Sequence, residues 1–173
     1  MTDTIRYGWG QSSLGEFVAA ISEHGLVMVE FGNPGGTAAI DALRARLPYA
    51  DVVEDPVFMR ETLERLGELI EHPEVKSDLP IDLLGSEFER RVWDALRDIP
   101  AAQTVSYGDI AQRLGVPREA REVAEACAAN NLAVVVPCHR VVKKDGSISG
   151  YRWGFKRKRT LIEREQMANW QLA

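Results

Sequence analysis

The spacing of the apolar residues changes near Gly85, and that change restricts the folds open to this chain. Up to residue 31 the apolar residues come in short runs, 5–9, 17–21 and 26–31, separated by Gln-Ser-Ser-Leu-Gly and by His24-Gly25. Runs of this length between turn formers predict an antiparallel meander. From Ser86 onward apolar residues instead recur every three or four positions, the period of helices packed on one face. An α/β chain in two parts is expected, with a sheet-and-helix lobe over 1–85 and a helical lobe over 86–173.

Within the first part, Thr37 can cap a helix carrying Ile40, Leu43 and Leu47 that stops at Pro48. Asp55-Pro56 opens a second helix with Phe58, Leu63, Leu66 and Ile70 on its inner side. Residues 72–80 are polar and bounded by prolines, which suits a linker, and 81–84 are expected to form a last strand.

In the second part, Ser86-x-x-Glu89 is a capping-box pattern ahead of Phe88, Val92, Leu96 and Ile99, and Pro100 ends the run. Ser106-x-x-Asp109 opens a helix through Ile110 and Leu114. Gly115-Val116-Pro117 makes a tight turn, and residues 118–129 form a third helix with Ala120, Val123, Ala124 and Cys127 inward. Helix, short glycine-bearing turn, helix is the grammar of a helix-turn-helix, though many such pairs never meet DNA. Val134, Val135 and Val136 are then expected as a short buried strand leading into Pro137-Cys138-His139-Arg140.

With 173 residues, 45% hydrophobic, the chain can build a core without covalent or metal staples. Cys127 and Cys138 are eleven residues apart with no Cys-x-x-Cys pattern, so no disulfide framework and no metal site are expected, and the thiols read as reduced in a cytoplasmic setting. No apolar run approaches the roughly 20 residues of a membrane span, and the first thirty residues lack a leader pattern. No membrane partner is expected.

The formal charge of −5 argues against a general nucleic-acid binder. Between Arg140 and Arg164, however, nine Lys/Arg face only Asp145 and Glu163, a local basic excess that is either a DNA footprint or a solvated surface run. Cys138, beside His139 and Arg140, is either a buried structural cysteine or a nucleophile whose basic neighbours lower its pKa to roughly 3.5–7.5.

The stretch Val134-Val-Val-Pro-Cys138-His-Arg-Val-Val142 resembles the signature of the O6-alkylguanine-DNA alkyltransferases. So do Phe88, Val92-Trp93, Leu96 and Ile99-Pro100, then Ser106-Tyr107, Ile110-Ala111, Asn130 and Ser149-Gly-Tyr-Arg-Trp-Gly154. Ala-Cys-Ala-Ala-Asn at 126–130 and Gly-Tyr-Arg-Trp-Gly at 150–154 are most similar to the Ada-type branch, and strong similarity covers 86–173. The first lobe is similar in pattern only.

The resemblance implies a ribonuclease-H-like first lobe and direct reversal of DNA damage, in which the alkyl group of O6-alkylguanine, with O4-alkylthymine a further candidate, passes irreversibly to Cys138. His139 would take the thiol proton through a water, Glu165 would orient that imidazole, and Asn130 would be the hinge between the helix-turn-helix and the active-site segment. Tyr107 would crowd the DNA phosphate and protonate the departing base, and Arg121 would fill the stack where the target nucleotide left. Ala120, Ala124, Arg118 and Arg140 complete the implied DNA-facing set. Tyr151, Val141, Arg152, Cys127 and Trp153 form the implied pocket. The implied partner is double-stranded DNA bearing the lesion, bound by a monomer without cofactor.

One feature departs from the family pattern. Glu119, Glu122 and Glu125 share one face of the recognition helix, where family members carry small neutral residues, and a carboxylate near phosphates is unfavourable. This leaves open a relative acting on a free alkylated small molecule or a protein partner. A lesion sensor without chemistry would lack Cys138, a transcriptional switch would need a further cysteine-rich metal segment, and a Cys-His hydrolase would turn over many times.

Overall fold

The computed structural model describes residues 3–32, 36–148 and 150–172; Ser149, first of the Ser-Gly-Tyr-Arg-Trp-Gly word, lies outside them. The meander forms as expected: β1 (Thr4–Gly10), β2 (Phe17–Ile21) and β3 (Leu26–Phe31) pair antiparallel, with Tyr7 opposite Ala20 and Val18 opposite Glu30. Helix α1 (Ala38–Arg46) then crosses to β4 (Asp51–Glu54), which joins the far edge parallel to β1 and gives the order β3-β2-β1-β4. β4 was not foreseen, because only one of its four residues, Val52, is buried and no alternation marks it. Residues 81–84 do not form the strand expected of them; Ile81 makes one isolated bridge to Leu26.

Both faces of the sheet are covered. Val18, Ala20 and Val27 pack with Ile40 and Leu43 of α1, while Phe17, Ala19 and Val29 pack with Met59, Leu66 and Ile70 of α2 (Pro56–Glu71). Burial on both faces explains why residues 17–20 are continuously apolar rather than alternating. α2 lies so close to β1 that a Cβ on Gly8 would sit 3.0 Å from Met59 Cβ. The helix is rotated from expectation: Met59 is fully buried and Phe58 is half-exposed, its ring covered by the Arg6 guanidinium 4.7 Å away. Asp55 caps α2 by accepting from Phe58 N at 3.1 Å.

In the second half, α3 (Glu87–Arg97) opens with the expected capping box, Ser86 Oγ accepting from Glu89 N at 3.1 Å and Glu89 Oε1 from Ser86 N at 2.8 Å. Gly85 is required there, since a Cβ would meet the Trp93 ring at 2.5 Å. Trp93 Nε1 in turn donates to Ala126 O at 2.9 Å, tying α3 to the segment that carries Cys127. A second capping box, Ser106 with Asp109, starts α4 (Tyr107–Arg113), and Gly115 turns the chain in the left-handed region at φ +75°. α5 runs over Ala120–Ala128, shorter than the expected 118–129, with Val123, Ala126 and Cys127 buried and Ala120 and Ala124 half-exposed rather than inward.

Val134, Val135 and Val136 are not a strand. They form a tight turn in which Val134 takes φ +67°, a conformation of high energy for a β-branched residue. The side chain of Asn130 supplies what a strand ladder would have: its Oδ1 accepts from Leu132 N at 2.9 Å and its Nδ2 donates to Val136 O at 3.0 Å. A 3-10 turn, Cys138–Arg140, follows, then β6 (Val141–Val142), parallel to β5 (Val105–Ser106), and finally α6 (Phe155–Leu172). One apolar core unites the α2 face of the sheet with α3, α4, α5 and the turn around Cys138.

Candidate active site

The 3-10 turn gives three consecutive side chains directions about 120° apart, so Cys138, His139 and Arg140 reach different partners. Cys138 Sγ accepts a hydrogen bond from Asn130 Nδ2 at 3.2 Å. His139 Nε2 and Arg140 Nη2 both donate to Glu165 Oε1, at 2.7 and 2.8 Å, and Arg140 Nε donates to Oε2 at 3.0 Å. Ala102 N adds a further donor to Oε2 at 3.3 Å. Asn130, His139 and Glu165 are each buried, with 0% exposure for His139.

Charge follows from this wiring. Burial pushes the Glu165 carboxyl up, but the hydrogen bonds from His139 and Arg140 and their charges outweigh it and hold the group below its usual range. An ionised Glu165 only accepts, so Nε2 of His139 carries the proton and Nδ1 keeps its lone pair. Burial dominates at His139 and lowers its pKa despite Glu165, so the imidazole is neutral at pH 7 and Nδ1 is a base. That Nδ1 is buried with no hydrogen-bond partner among the described residues.

Of the two readings open for Cys138, a buried thiol and one with a lowered pKa, the structure favours burial without activation by its neighbours. Burial raises the thiol pKa; the Asn130 hydrogen bond and the Lys158 charge oppose that without cancelling it. The resting group is therefore a protonated thiol, and the adjacent Arg140 does not activate it because its charge is spent on Glu165. Arg140 is also no DNA contact: it is buried, with Nη1 on Ile99 O at 2.6 Å and Nη2 on Pro73 O at 3.2 Å.

Of the residues implied for the pocket, Tyr151 and Cys127 lie within electrostatic reach of Cys138. Tyr151 and Trp153 meet edge to face with centroids 5.2 Å apart, and the Tyr151 hydroxyl is buried with no partner among the described residues. Val141 is fully buried in β6, and its pairing with Val105 places Tyr107, the first residue of α4, next to the segment that follows Cys138. Cys127 is buried close enough to Cys138 for their charges to interact, and burial holds its own thiol far above the usual range. Arg152 is exposed in part and has partners in both halves of the chain. It is ion-paired with Glu30 of β3, donates to Asn130 O at 2.7 Å and Asn131 Oδ1 at 3.0 Å, and covers the Trp153 ring at 5.4 Å.

Arg118 and Arg121 lie exposed at the start of α5, with Arg121 Nε 3.7 Å from Glu125 Oε1. Glu119, Glu122 and Glu125 are exposed with them. The basic excess of 140–164 is divided: Lys143, Lys144, Lys156 and Arg159 are exposed, while other members reach partners inside the fold. Besides Arg140 and Arg152, Arg157 donates to Leu14 O at 2.7 Å, Arg164 to Ile70 O at 2.6 Å, and Lys158 is 1% exposed. Lys158 is the site residue that sequence reasoning missed. It shares a stripe of α6 with Leu161, Ile162 and Glu165, and that spacing was the available signal.

Among the described residues no cluster of His, Cys, Asp and Glu could hold a metal ion, and no helix is long and apolar enough to cross a membrane. A 330 Å³ cavity is lined by Pro73, Asp94, Val134, Pro137 and Arg140, and Cys138 is not part of its lining.

Residues 87–167 match the family described as 6-O-methylguanine DNA methyltransferase, DNA binding domain. The chain is 39% identical over 161 residues to the bifunctional transcriptional activator/DNA repair enzyme Ada of Escherichia coli, covering 93% of this chain and 45% of that protein. It thus spans about half the length of its Ada relatives. The inducible methylated-DNA–protein-cysteine methyltransferase of Bacillus subtilis is 35% identical over 153 residues, with 88% of this chain and 86% of that one covered. The structure of Mycobacterium tuberculosis OGT in complex with DNA superposes with a TM-score of 0.77 at 31% identity, covering 95% of this chain and 93% of that one. With both halves matched in sequence and in fold, the chain belongs to the O6-methylguanine-DNA methyltransferase family.

Proposed function

We propose that this chain binds double-stranded DNA, receives an extruded O6-alkylguanine beside Tyr151, and transfers the alkyl group to Cys138. The observation that carries this reading is one constellation: Asn130 Nδ2 at 3.2 Å from Cys138 Sγ, with His139, its Nδ1 lone pair free, held through Nε2 by Glu165. As a base, Nδ1 takes the thiol proton through a bridging water while the sulfur attacks the alkyl carbon. The carbon–O6 bond breaks as the carbon–sulfur bond forms, and its electron pair stays on guanine. Tyr107 supplies a proton to the departing base, and His139 and Tyr107 return to their resting states by exchange with solvent. The net change trades the thiol hydrogen for the alkyl group.

Asn130 favours the developing thiolate by aiming an N–H at sulfur, and the ionised Glu165 stabilises the imidazolium that forms. Nothing in the constellation attacks a thioether, so each molecule acts once. Residues 1–85 serve as the platform and 86–173 carry the chemistry, with α5 entering the duplex and Arg121 occupying the gap in the base stack. The chain acts as a monomer without a cofactor.

The acidic face of α5 favours one competing reading, a substrate that is a free alkylated purine rather than duplex DNA. Counting repaired lesions separates the two. Excess duplex carrying O6-methylguanine is expected to lose one lesion per protein molecule and then stop. Continued turnover would contradict the mechanism, and reaction confined to the free base would contradict the DNA substrate.

A further inference from the structure

One polar link between the first lobe and the residues around Cys138 runs through a carboxylate of the sheet. Glu30 sits on β3, 8% exposed, and its carboxylate is ion-paired with Arg152, whose guanidinium also donates to Asn130 O at 2.7 Å and Asn131 Oδ1 at 3.0 Å. The same stretch of β3 docks the hinge through its backbone, Val29 N donating to Asn131 O at 2.8 Å and Ala133 N to Val29 O at 2.9 Å. Arg152 therefore grips, from a single point, the residue whose side chain donates to Cys138 Sγ and the loop that carries Tyr151.

We propose that Glu30 is a positioning residue for alkyl transfer: by anchoring Arg152 to the sheet it sets both the Asn130 donor against the sulfur and the Tyr151 wall against the guanine. Burial raises the Glu30 pKa while the Arg152 and Arg46 charges lower it, so desolvation of the carboxylate is only partly offset. A buried ion pair of this kind is weak evidence for a stabilising role, since apolar replacements often fold as well or better. Its value lies in geometry.

The inference rests on the proposed alkyl transfer to Cys138, and the test separates the two. Single-turnover methyl transfer is measured against duplex concentration for the wild type, Glu30→Leu and Glu30→Gln, alongside melting temperature and reaction with free O6-benzylguanine. Leucine removes the anchor without leaving a buried charge on β3, whereas glutamine keeps an oxygen acceptor for Arg152. Glu30→Leu is expected to slow the saturating rate about tenfold to a hundredfold, as misplacement of reacting groups does. The duplex concentration at half-saturation and the melting temperature are expected to hold, the free base to be slowed in parallel, and Glu30→Gln to retain most of the rate. Glu30→Leu reacting at the wild-type rate, or losing only DNA affinity, or losing rate only in step with melting temperature, would overturn the inference. A wild type that never alkylates Cys138 would overturn the functional reading itself.

Discussion

At the scale of single residues, the activation of Cys138 is a matter of two opposed pKa shifts. The thiol is held up by burial and the His139 imidazole is held down by burial, so over a broad range the pair rests as neutral thiol and neutral base. Transfer that draws the proton through His139 depends on that neutral pair. The single-turnover rate is expected to stay level between the ordinary imidazole value of 6.5 and the ordinary thiol value of 9.0, and to decline only on the acid side. Stopped-flow or quench measurements across this range check it. A rate climbing about tenfold per pH unit through neutrality would mean that a preformed thiolate reacts without His139. The identities of Cys138, His139, Asn130 and Glu165 could be read from the sequence by resemblance, whereas their charge states could not. Those depend on how fully the fold removes each group from water, and on Glu165 claiming Arg140, the cation that sequence adjacency had assigned to the sulfur.

Among the elements, α5 carries the chain's departure from family pattern. Arg121 and Glu125 lie one helical turn apart with both side chains exposed, a pairing worth at most about 1 kcal/mol. The proposed insertion of Arg121 into a base stack would break it and would bring Glu122 and Glu125 towards phosphates. Replacing Glu122 and Glu125 with alanine is expected to tighten duplex binding several-fold in fluorescence anisotropy at low salt, with the gain shrinking as ionic strength rises. Unchanged affinity at every salt concentration would show that this face of α5 does not meet DNA. The helices themselves were legible because their caps are local: Ser86 with Glu89 and Ser106 with Asp109 bond within four residues, as their spacing predicts. The turn at Val134 was illegible because its apolar run is the composition of a buried strand. What bends it is the side chain of Asn130, bonding forward to Leu132 and Val136.

For the whole molecule, the two halves are joined by arginines from the second reaching carbonyls and carboxylates of the first: Arg152 to Glu30, Arg157 to Leu14 O, and Arg164 to Ile70 O and Glu71. No local pattern announces such pairs, which is why the sequence left the basic run open between a DNA footprint and a solvated surface. The same buried wiring sets the pH range of stability. His139 and Glu165 have depressed folded-state pKa values, so their contribution is present above the ordinary values of 6.5 and 4.5 and is lost as pH falls through each. The thiols of Cys138 and Cys127 are raised, so theirs is present below 9.0 and is lost as pH rises beyond it. Calorimetry is expected to show a melting temperature that is highest between about pH 6.5 and 9.0 and falls on both sides. A melting temperature that rises on acidification from pH 6.5 would contradict a buried neutral His139.

The claim on which the rest depends is that Cys138 ends the reaction carrying the alkyl group. Intact-mass analysis with peptide mapping, after mixing with a duplex containing one O6-methylguanine, tests it most directly. One added CH2 per molecule is expected, located on the peptide containing Cys138, and none in Cys138→Ala. A methyl group found on Cys127 or elsewhere, or demethylation undiminished in Cys138→Ala, would contradict it.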